Sequence, residues 1–290
     1  MDTLQNFVFD NHPVRGEWVR FDKIYQNVLS QHHYPPVLQR LLAEAMAAVV
    51  MLYGISKQQG RLTLQFQGDG AIKLLSVRCT HDYHCRGLID WEGALDDHDS
   101  LAQALGHGTL ALTYEPGQGQ SPYQSIVEVK GSSIAEALEN YFLQSEQLPT
   151  RFWIASDNQQ VVGFMLQLMP SQSHTQASSW EHVVHLADTL QPNEMLSEVN
   201  LTLLHRLFHQ EEVRVFEPQS LDFGCGHTKE RTDNAILSLG KAEAEKMLAE
   251  HGSIEVKCEF CGAETIYDTV DVETLFKIGR SSGGATHVKH

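Results

Sequence analysis

Near the end of the chain, two short groups of residues carry side chains that bind metal ions readily. One residue separates Cys225 from His227, two residues separate Cys258 from Cys261, and Gly262 follows directly. Thiolate sulfur and imidazole nitrogen are the usual donors of tetrahedral zinc sites, and two chelating pairs supply the four donors that such a site requires. The sequence therefore predicts that Cys225, His227, Cys258 and Cys261 bind one Zn²⁺ ion.

The two pairs differ in how strongly they indicate a metal. A two-residue gap lets one tight turn aim both sulfurs of Cys258 and Cys261 at a single ion, and a following glycine tolerates the bend. The one-residue gap between Cys225 and His227 is a less common chelate, and the chain contains 16 histidines. The alternative is that the cysteines are reduced and inert, and that His227 is a solvated loop residue.

The composition limits the classes of partner. With 290 residues, 42% of them hydrophobic, the chain can bury a sizeable core in more than one domain. Its 37 acidic and 21 basic residues give a net charge of −16, which repels phosphate backbones and anionic lipid headgroups. We therefore expect neither nucleic acid nor a membrane as a partner.

The sequence also indicates a compartment. The first residues lack the basic start and apolar stretch of a secretory signal. Residues 45–53 are too few to span a bilayer and follow Arg40 and Glu44, which predicts a buried helix. We expect a cytoplasmic protein, in which thiols stay reduced and clustered cysteines bind metal or act in redox chemistry.

The first 170 residues mix strands and helices. Alternating apolar and polar residues predict strands at 62–67, 71–79, 110–114, 123–129 and 162–168, several of them joined as hairpins. A helix is predicted from Pro36 to about Tyr53, and a capping box of Ser133 and Glu136 begins another through about Gln144. Hairpin strands with helices packed on one face predict an α+β domain containing a mixed sheet.

A polar, turn-prone segment at 171–177 predicts a linker, and the pattern after it is helical. Ser178 and Glu181 form a second candidate capping box at its start. Two apolar stripes follow at helical spacing: Trp180, Val183, Val184 and Ala187 on one predicted helix, and Leu196, Val199, Leu203 and Leu207 on the next. Short amphipathic helices must pack against another surface, and they can be released from it at low cost.

The remaining residues predict a small metal-dependent domain. A strand is predicted at 211–216 and a helix at 233–250, between the two halves of the metal cluster. A segment of about sixty residues with so few large apolar side chains depends on a metal for stability. We therefore predict an α+β core domain at 1–170, a helical linker at 171–220, a zinc-binding domain at 221–278 and a disordered tail at 279–290.

Two other groups of potential ligands are weaker candidates. Cys79, His81, His84 and Cys85 lie within seven residues, but four ligands so close together rarely surround one ion without strain. We read them as residues of a strand end and its hairpin, with Cys79 half-buried.

His205 and His209 have the spacing of zinc proteases, but the glutamate that would follow the first histidine is replaced by Arg206. These two histidines are therefore expected on a solvated face. The sequence contains no phosphate-binding loop or nucleophile elbow, so it does not predict an enzyme.

Several specific runs of residues resemble one known family. They are Val14-Arg15-Gly16-Glu17, Gln67-Gly68-Asp69-Gly70, Tyr141-Phe142 followed by residues 145–151, Glu211-Glu212-Val213, and residues 258–262. Over nearly its whole length the chain resembles the bacterial redox-regulated holdase chaperones of the 33 kDa chaperonin (heat-shock protein 33) family. The resemblance implies an ATP-independent holdase that is inactive while reduced and zinc-bound. Oxidation in that family forms two disulfides, releases zinc, unfolds the zinc domain and the linker, and exposes a surface for unfolding proteins, usually in a dimer.

The sequence departs from the family at one ligand position. The family carries Cys-x-Cys where this chain has Cys225-Gly226-His227. A histidine can still bind zinc, but it cannot form a disulfide. We therefore expect a single redox disulfide between Cys258 and Cys261, with Cys225 left to form a sulfenic acid, a mixed disulfide or a bridge between chains.

Loss of two ligands should release zinc, unfold the C-terminal domain and loosen the linker. The expected client-binding surface is the apolar side chains of the linker: Trp180, Val183, Val184, Leu196, Val199, Leu203 and Leu207. On this interpretation the chain is a stress-response chaperone for unfolded or aggregation-prone proteins and acts as a homodimer when activated.

Two alternatives belong to other classes of function. A zinc-clipped adaptor would bind one folded partner without a redox switch, and it would need the metal in place when it binds. An enzyme using zinc as a Lewis acid would need an open coordination position, which four protein ligands would close.

Overall fold

The structure, a computed structural model, describes residues 2–56, 59–117, 121–170, 176–225, 229–258, 260 and 262–281. The chain divides into two compact units, Met1–Gly224 and Cys225–His290. The segment predicted as a linker belongs to the first unit.

The strands account for three sheets in the described residues. Their bounds are β1 Thr3–Phe9, β2 Val14–Phe21, β3 Gly60–Gly68, β4 Ile72–Thr80, β5 His84–Trp91, β6 Gly108–Pro116, β7 Tyr123–Glu128, β8 Thr150–Ser156, β9 Val161–Leu168, β10 Val213–Val215, β11 Gln219–Ser220, β12 Asp222–Phe223, β13 Ile254–Lys257 and β14 Glu264–Tyr267.

The helices alternate with these strands and dominate after residue 175. Their bounds are α1 Lys23–Gln31, α2 Pro36–Ser56, α3 Leu101–Leu105, α4 Ile134–Tyr141, α5 Gln176–Ala187, α6 Pro192–Ser197, α7 Asn200–Phe208, α8 Lys229–Leu239, α9 Lys241–His251 and α10 Thr269–Ser281, with a π-helical turn at Phe142–Glu146.

The first unit contains two six-stranded sheets. One has the order β10-β1-β2-β9-β8, and β11 pairs with β1 beside β10. The other has the order β12-β5-β4-β3-β6-β7, in which only the β12–β5 pair is parallel among the described strands. The predicted hairpins are confirmed: β3 pairs with β4, and β6 pairs with β7. The α+β fold class is therefore confirmed.

Helix α2 forms the centre of the first unit. It contacts strands of both sheets, and 15 of its 21 residues are buried. By length and composition this helix could cross a membrane, but 78% of its most apolar window is buried in the fold. The predicted buried helix is confirmed, and its hydrophobicity is explained by packing on two sheets at once.

Strand β9 differs from its predicted environment. Alternation at 162–168 predicts a half-buried strand, yet every residue of β9 is buried. Val162, Phe164 and Leu166 pack in the apolar cluster that includes α5–α7, whereas Val161 and Met165 pack in the cluster around α2. Helices therefore cover both faces of this sheet rather than one.

Helix α4 begins as the sequence predicts. The Ser133 hydroxyl accepts a hydrogen bond from the Glu136 backbone N–H, which caps the first turn. The Glu136 carboxylate accepts from the backbone N–H and hydroxyl of Ser132, one residue before the N-cap, so only the Ser133 half of the predicted capping box is confirmed. The α-helix ends at Tyr141 and continues as the π-helical turn, so the predicted end at about Gln144 lies inside that turn.

Two helical predictions after residue 175 are wrong in detail. Helix α5 begins at Gln176, so Ser178 lies inside the helix and is not its N-cap residue. The stripe from Leu196 to Leu207 belongs to two helices, α6 and α7, and not to one. Val199 is the N-cap residue of α7 and is 66% exposed, so it does not join the buried stripe.

The second unit packs α8, α9 and α10 with the β13–β14 hairpin. The predicted helix at 233–250 is two helices, because Gly240 adopts a φ of +82° between α8 and α9. Such a backbone conformation is open to glycine and ends a helix. Helix α10 extends through residues 279–281 of the predicted tail, and residues 282–290 lie outside the described part of the chain.

Candidate metal centre and linker surface

Two of the four predicted zinc ligands are described, and they lie together. The Sγ atoms of Cys225 and Cys258 are 3.3 Å apart although 33 positions separate the residues. Cys225 is buried, with 8% of its surface exposed, and Cys258 is half-buried. Two thiolates bound to one zinc ion lie about 3.8 Å apart, from a Zn–S bond of about 2.3 Å and tetrahedral angles. The two sulfurs lie closer together than this spacing, so the observation that supports a shared ion is their proximity and not their distance.

A tight turn surrounds Cys258. Strands β13 and β14 bring Lys257 and Glu264 opposite each other at the end of the hairpin. Within the loop, the Gly262 N–H donates to the Cys258 carbonyl at 2.8 Å, and the Cys258 N–H donates to the Ala263 carbonyl at 2.9 Å. Gly262 has a φ of +64°, the conformation expected for the glycine of a metal-binding knuckle.

The other two predicted ligands, His227 and Cys261, lie outside the described residues. The complete ligand set, and with it the predicted Cys258–Cys261 disulfide, therefore stays a prediction. The described observation at this loop is the backbone hydrogen bond from Gly262 to Cys258.

The second unit has a small apolar core. Its buried members in the described residues are Ile236, Ala244, Leu248, Ile254, Tyr267 and Val272. One polar bond supplements this packing, since the Tyr267 hydroxyl donates to Asp233 at 2.8 Å. A core of this size offers little apolar burial to offset the conformational entropy of the segment.

Cys79 and Cys85 face each other across the β4–β5 pair. Their Sγ atoms are 3.6 Å apart, and both residues are fully buried, so the expectation of a half-buried Cys79 is wrong. His81 and His84 are instead partly or largely exposed. Burial raises the pKa of the Cys79 thiol well above its ordinary value, and the hydrogen bond from Cys85 adds to the effect. The Cys79 thiol is therefore a poor nucleophile, and burial shields both thiols from an oxidant in solution.

Helices α5–α7 cover the face of the first sheet that points away from α2. Of the predicted client-binding residues, Val183, Leu203 and Leu207 are buried, and Trp180, Leu196 and Val184 are partly buried. They meet a sheet face whose buried members are Phe7, Phe9, Val14, Trp18, Ala155, Val162, Phe164, Leu166 and Leu168. The sequence did not predict this partner surface, because its residues come from distant strands.

Arg20 on β2 holds the end of helix α6. Its guanidinium donates to the carbonyls of Met195 at 2.6 Å, Leu196 at 3.1 Å and Glu198 at 2.7 Å. These carbonyls lie at a helix C-terminus, where a cation is favoured. Desolvation lowers the pKa of Arg20 from its ordinary value.

A second polar contact holds the end of helix α5. The Asp188 carboxylate accepts from the Arg151 guanidinium at 3.1 Å and from the Trp153 indole N–H at 3.2 Å. The Arg151 guanidinium also lies 5.6 Å from the centre of the Trp153 ring. The described linker helices are therefore held by apolar packing and by a few identifiable polar contacts.

Two pairs of histidines outside the metal cluster lie in different surroundings. His205 on α7 and His209, the C-cap residue of that helix, are both exposed, as expected for a solvated face. His12 and His182, in contrast, both contact Glu211, although Glu211 is 199 and 29 positions away from them in the sequence. No spacing rule connects residues so far apart, and only the fold brings them together.

Comparison with known proteins identifies the family. The family model described as Hsp33 protein matches residues 2–268 of this chain. The chain belongs to the Hsp33 family. Two relatives named 33 kDa chaperonin support the same family assignment. A protein of Nitrosococcus oceani is 43% identical over 275 residues, covering 95% of this chain and 94% of the relative. A protein of Pseudomonas paraeruginosa is 42% identical and covers 100% of this chain and 99% of the relative.

The fold agrees with that of an Hsp33 homologue of known structure. The crystal structure of the 33 kDa chaperonin from Thermotoga maritima superimposes with a TM-score of 0.84 at 24% identity, covering 96% of this chain and 99% of the other. The Hsp33 family is a family of chaperones and not of enzymes, so the resemblance found in the sequence and the predicted class of function are confirmed.

Proposed function

We propose that this Hsp33 chain is an ATP-independent holdase whose client-binding surface is covered while its thiols are reduced and is uncovered by oxidation. Its clients are unfolded or aggregation-prone proteins, and its place is the bacterial cytoplasm, acting as a homodimer when activated. The observation that carries the proposal is the extended apolar sheet face, including Trp18 and Phe164, that three short helices cover. Apolar surface of this kind binds unfolded chains when it is exposed.

Cys225, His227, Cys258 and Cys261 are the proposed zinc ligands. The close sulfurs of Cys225 and Cys258 and the turn at Gly262 support this assignment. The ion would cross-link the β13–β14 loop to the start of the second unit. That cross-link adds folding energy that the small core of this unit lacks.

The proposed switch is one disulfide between Cys258 and Cys261. The two cysteine thiolates lose two electrons to hydrogen peroxide, one S–S bond forms, and the peroxide takes up two protons from solvent and becomes two molecules of water. The two sulfurs are then no longer available as ligands, so the second unit loses half of its proposed ligand set. His227 has no sulfur to pair with Cys225, which leaves that cysteine as a thiol.

Unfolding of the second unit would destabilise the linker helices through the segment of chain that connects these helices to that unit. Only two-residue strands, β11 and β12, hold the described segment between β10 and Gly224 by sheet pairing. Such short pairings are weak, because each contributes few hydrogen bonds. Helices α5–α7 would then lose their C-terminal support and detach, exposing both their own stripe and the sheet face beneath it.

The test is to treat the reduced, zinc-loaded chain with peroxide at mildly raised temperature. We expect about two thiols and one zinc ion to be lost per chain, together with suppression of the aggregation of an unfolding client. Cys258→Ser removes a proposed ligand as well as a disulfide partner, so it should suppress client aggregation without peroxide and show no further response to it. If zinc is lost while client aggregation is unaffected, the metal is only a structural clip, and the adaptor interpretation gains support.

His227→Cys is the informative companion variant. It restores the possibility of a second disulfide with Cys225, so the oxidised form should lose about four thiols. A faster or more complete response would show that the native histidine weakens the switch. An unchanged response would show that the Cys258–Cys261 pair is sufficient.

A further inference from the structure

Three side chains from separate parts of the first unit meet near the start of β10. His12 lies in the turn between β1 and β2, His182 lies on helix α5, and Glu211 follows helix α7. The two imidazole Nε2 atoms lie 2.8 Å from different oxygens of the Glu211 carboxylate. All three ligand atoms lie within 4.8 Å of one another.

The Glu211 carboxylate is well enclosed. Its side chain is 9% exposed, and Oε2 also accepts a hydrogen bond from the Asn11 amide at 2.8 Å. The hydrogen bond from His182, followed by those from Asn11 and His12, lowers its pKa to about 2. Each carboxylate oxygen faces one imidazole nitrogen, so the three side chains present their donors to one small volume.

The imidazole rings can reach an ion between them. Nδ1 of His12 is buried and has no hydrogen-bond partner within the described residues. In the described part of the chain, the hydrogen bond to Glu211 is therefore the one polar contact that orients the His12 ring. If a metal ion took the place of that contact, the ring would lose one hydrogen bond. The His182 side chain is 50% exposed, which leaves it free to adjust its rotamer.

We propose that His12, His182 and Glu211 form a second metal site, separate from the cysteines, for a first-row divalent cation such as Zn²⁺. Two imidazole nitrogens and one carboxylate are an established donor set for these ions, with water in the remaining positions. The net charge of −16 favours a cation at this surface. Three donors without a thiolate bind zinc less tightly than the cysteine centre, so this site fills second.

An ion at this site would fasten helix α5 to the β1–β2 turn. It would stabilise the state in which the linker helices cover the sheet, in proportion to its occupancy. Free zinc would then oppose the detachment of α5. This consequence, unlike the site itself, rests on the proposed holdase function.

The site is tested by counting zinc bound to the reduced full chain as free zinc rises through the micromolar range. We expect two ions per chain for the wild type and one for His182→Ala, whose affinity for the second ion should fall at least about tenfold. His185→Ala removes another exposed histidine of the same helix and should retain both ions. Binding of a single ion by the wild type, or of two with unchanged affinity by His182→Ala, would overturn the proposal.

Two further readouts separate this site from the cysteine centre. With Co²⁺, the thiolate charge-transfer absorption should saturate with the first ion and stay constant as the second binds. Hydrogen exchange of the α5 amides should slow on addition of the second ion in the wild type but not in His182→Ala. Growth of the thiolate band with the second ion, or unchanged exchange in the wild type, would contradict the assignment.

The site and the chaperone function can fail independently. If the second ion binds and slows exchange in α5, but peroxide never induces suppression of client aggregation, the metal site stands and the holdase switch does not. If the switch operates while the second ion is absent from the wild type, the switch stands and the site does not.

Discussion

Among the described residues, the Arg20 side chain makes several polar contacts between the first sheet and the linker helices. It reaches three backbone carbonyls at the end of α6 and the Gln160 side chain, the last at 2.7 Å. Backbone carbonyls at a helix end need partners, and here a side chain of the sheet supplies them. Arg20 therefore links the end of helix α6 to strand β2.

Replacing Arg20 by alanine should weaken the packing of helices α6 and α7 on the first sheet. We expect the docked state of α6 and α7 to lose about 2–4 kcal/mol, because each hydrogen bond from a charged donor contributes about 1.5–3 kcal/mol and water replaces part of it. Hydrogen exchange of the α6 and α7 amides should speed up by at least about tenfold, and reduced protein should bind clients weakly.

Arg61→Ala is the matched control, because Arg61 pairs with Glu115 on the second sheet, away from the linker helices. Exchange in α6 and α7 should be unchanged in this variant. Equal acceleration in both variants would mean that general destabilisation, and not the loss of the Arg20 anchor, opens the linker.

Cys79 and Cys85 should take no part in the redox response. Both are fully buried, and the raised pKa of the Cys79 thiol leaves little thiolate to react with an oxidant. The double variant Cys79→Ala and Cys85→Ala should lose the same number of thiols to peroxide as the wild type and activate to the same extent. Mass spectrometry of alkylated peptides measures this directly, and peroxide oxidation of Cys79 or Cys85 in the folded wild type would contradict it.

At the scale of the element, helix α4 carries two glutamates whose pKa values shift in opposite directions. Burial raises the pKa of Glu139, which accepts from the Phe152 N–H at 2.9 Å. Hydrogen bonds from the Ser132 backbone and hydroxyl lower the pKa of Glu136. The two residues lie one turn apart, so their environments, and not their sequence context, determine the difference.

These shifts predict opposite effects of pH on stability. A raised folded-state pKa means that the folded chain binds the proton more tightly, so the contribution of Glu139 falls as pH rises from the ordinary value of 4.5 through its higher folded-state value. The contribution of Glu136 is present above 4.5 and is lost as pH falls through its lower folded-state value.

Urea unfolding over a pH series measures both effects. Relative to wild type, Glu139→Gln should become more stable as pH rises, whereas Glu136→Gln should become less stable. Parallel pH profiles for the two variants would show that these shifts do not contribute to stability.

At the scale of the whole molecule, the two units should differ in their dependence on metal. The first unit contains two apolar clusters built on two six-stranded sheets, whereas the second contains one small cluster. Chelation of zinc from the reduced chain should therefore unfold Cys225–His290 while the sheets of Met1–Gly224 stay folded. Limited proteolysis followed by mass spectrometry should find new cleavage sites confined to the second unit and the linker.

Cys258→Ser should show the same cleavage pattern without chelator, because it removes one proposed ligand. An apo chain as resistant to protease as the zinc-loaded chain would contradict the proposed dependence of the second unit on zinc.

The sequence alone determined the local features of the molecule. Alternation at 62–67 predicted β3, the capping box at Ser133 predicted the start of α4, and the apolar run before Tyr53 predicted the buried α2. The motif runs predicted the family, which the comparisons confirmed. These features depend on residues close together in the chain, so periodicity and spacing contain the necessary information.

The tertiary structure alone decided how distant segments cover one another. It buried both faces of β9, divided the stripe around Val199 between two helices, and assembled Glu211 with His12 and His182. Each of these outcomes depends on which surfaces meet after folding, and a one-dimensional pattern reports only that a face is apolar, not what covers it. The proposed activity of this chaperone is the uncovering of such a face. The contact that the proposed switch regulates is therefore one that the sequence pattern did not predict.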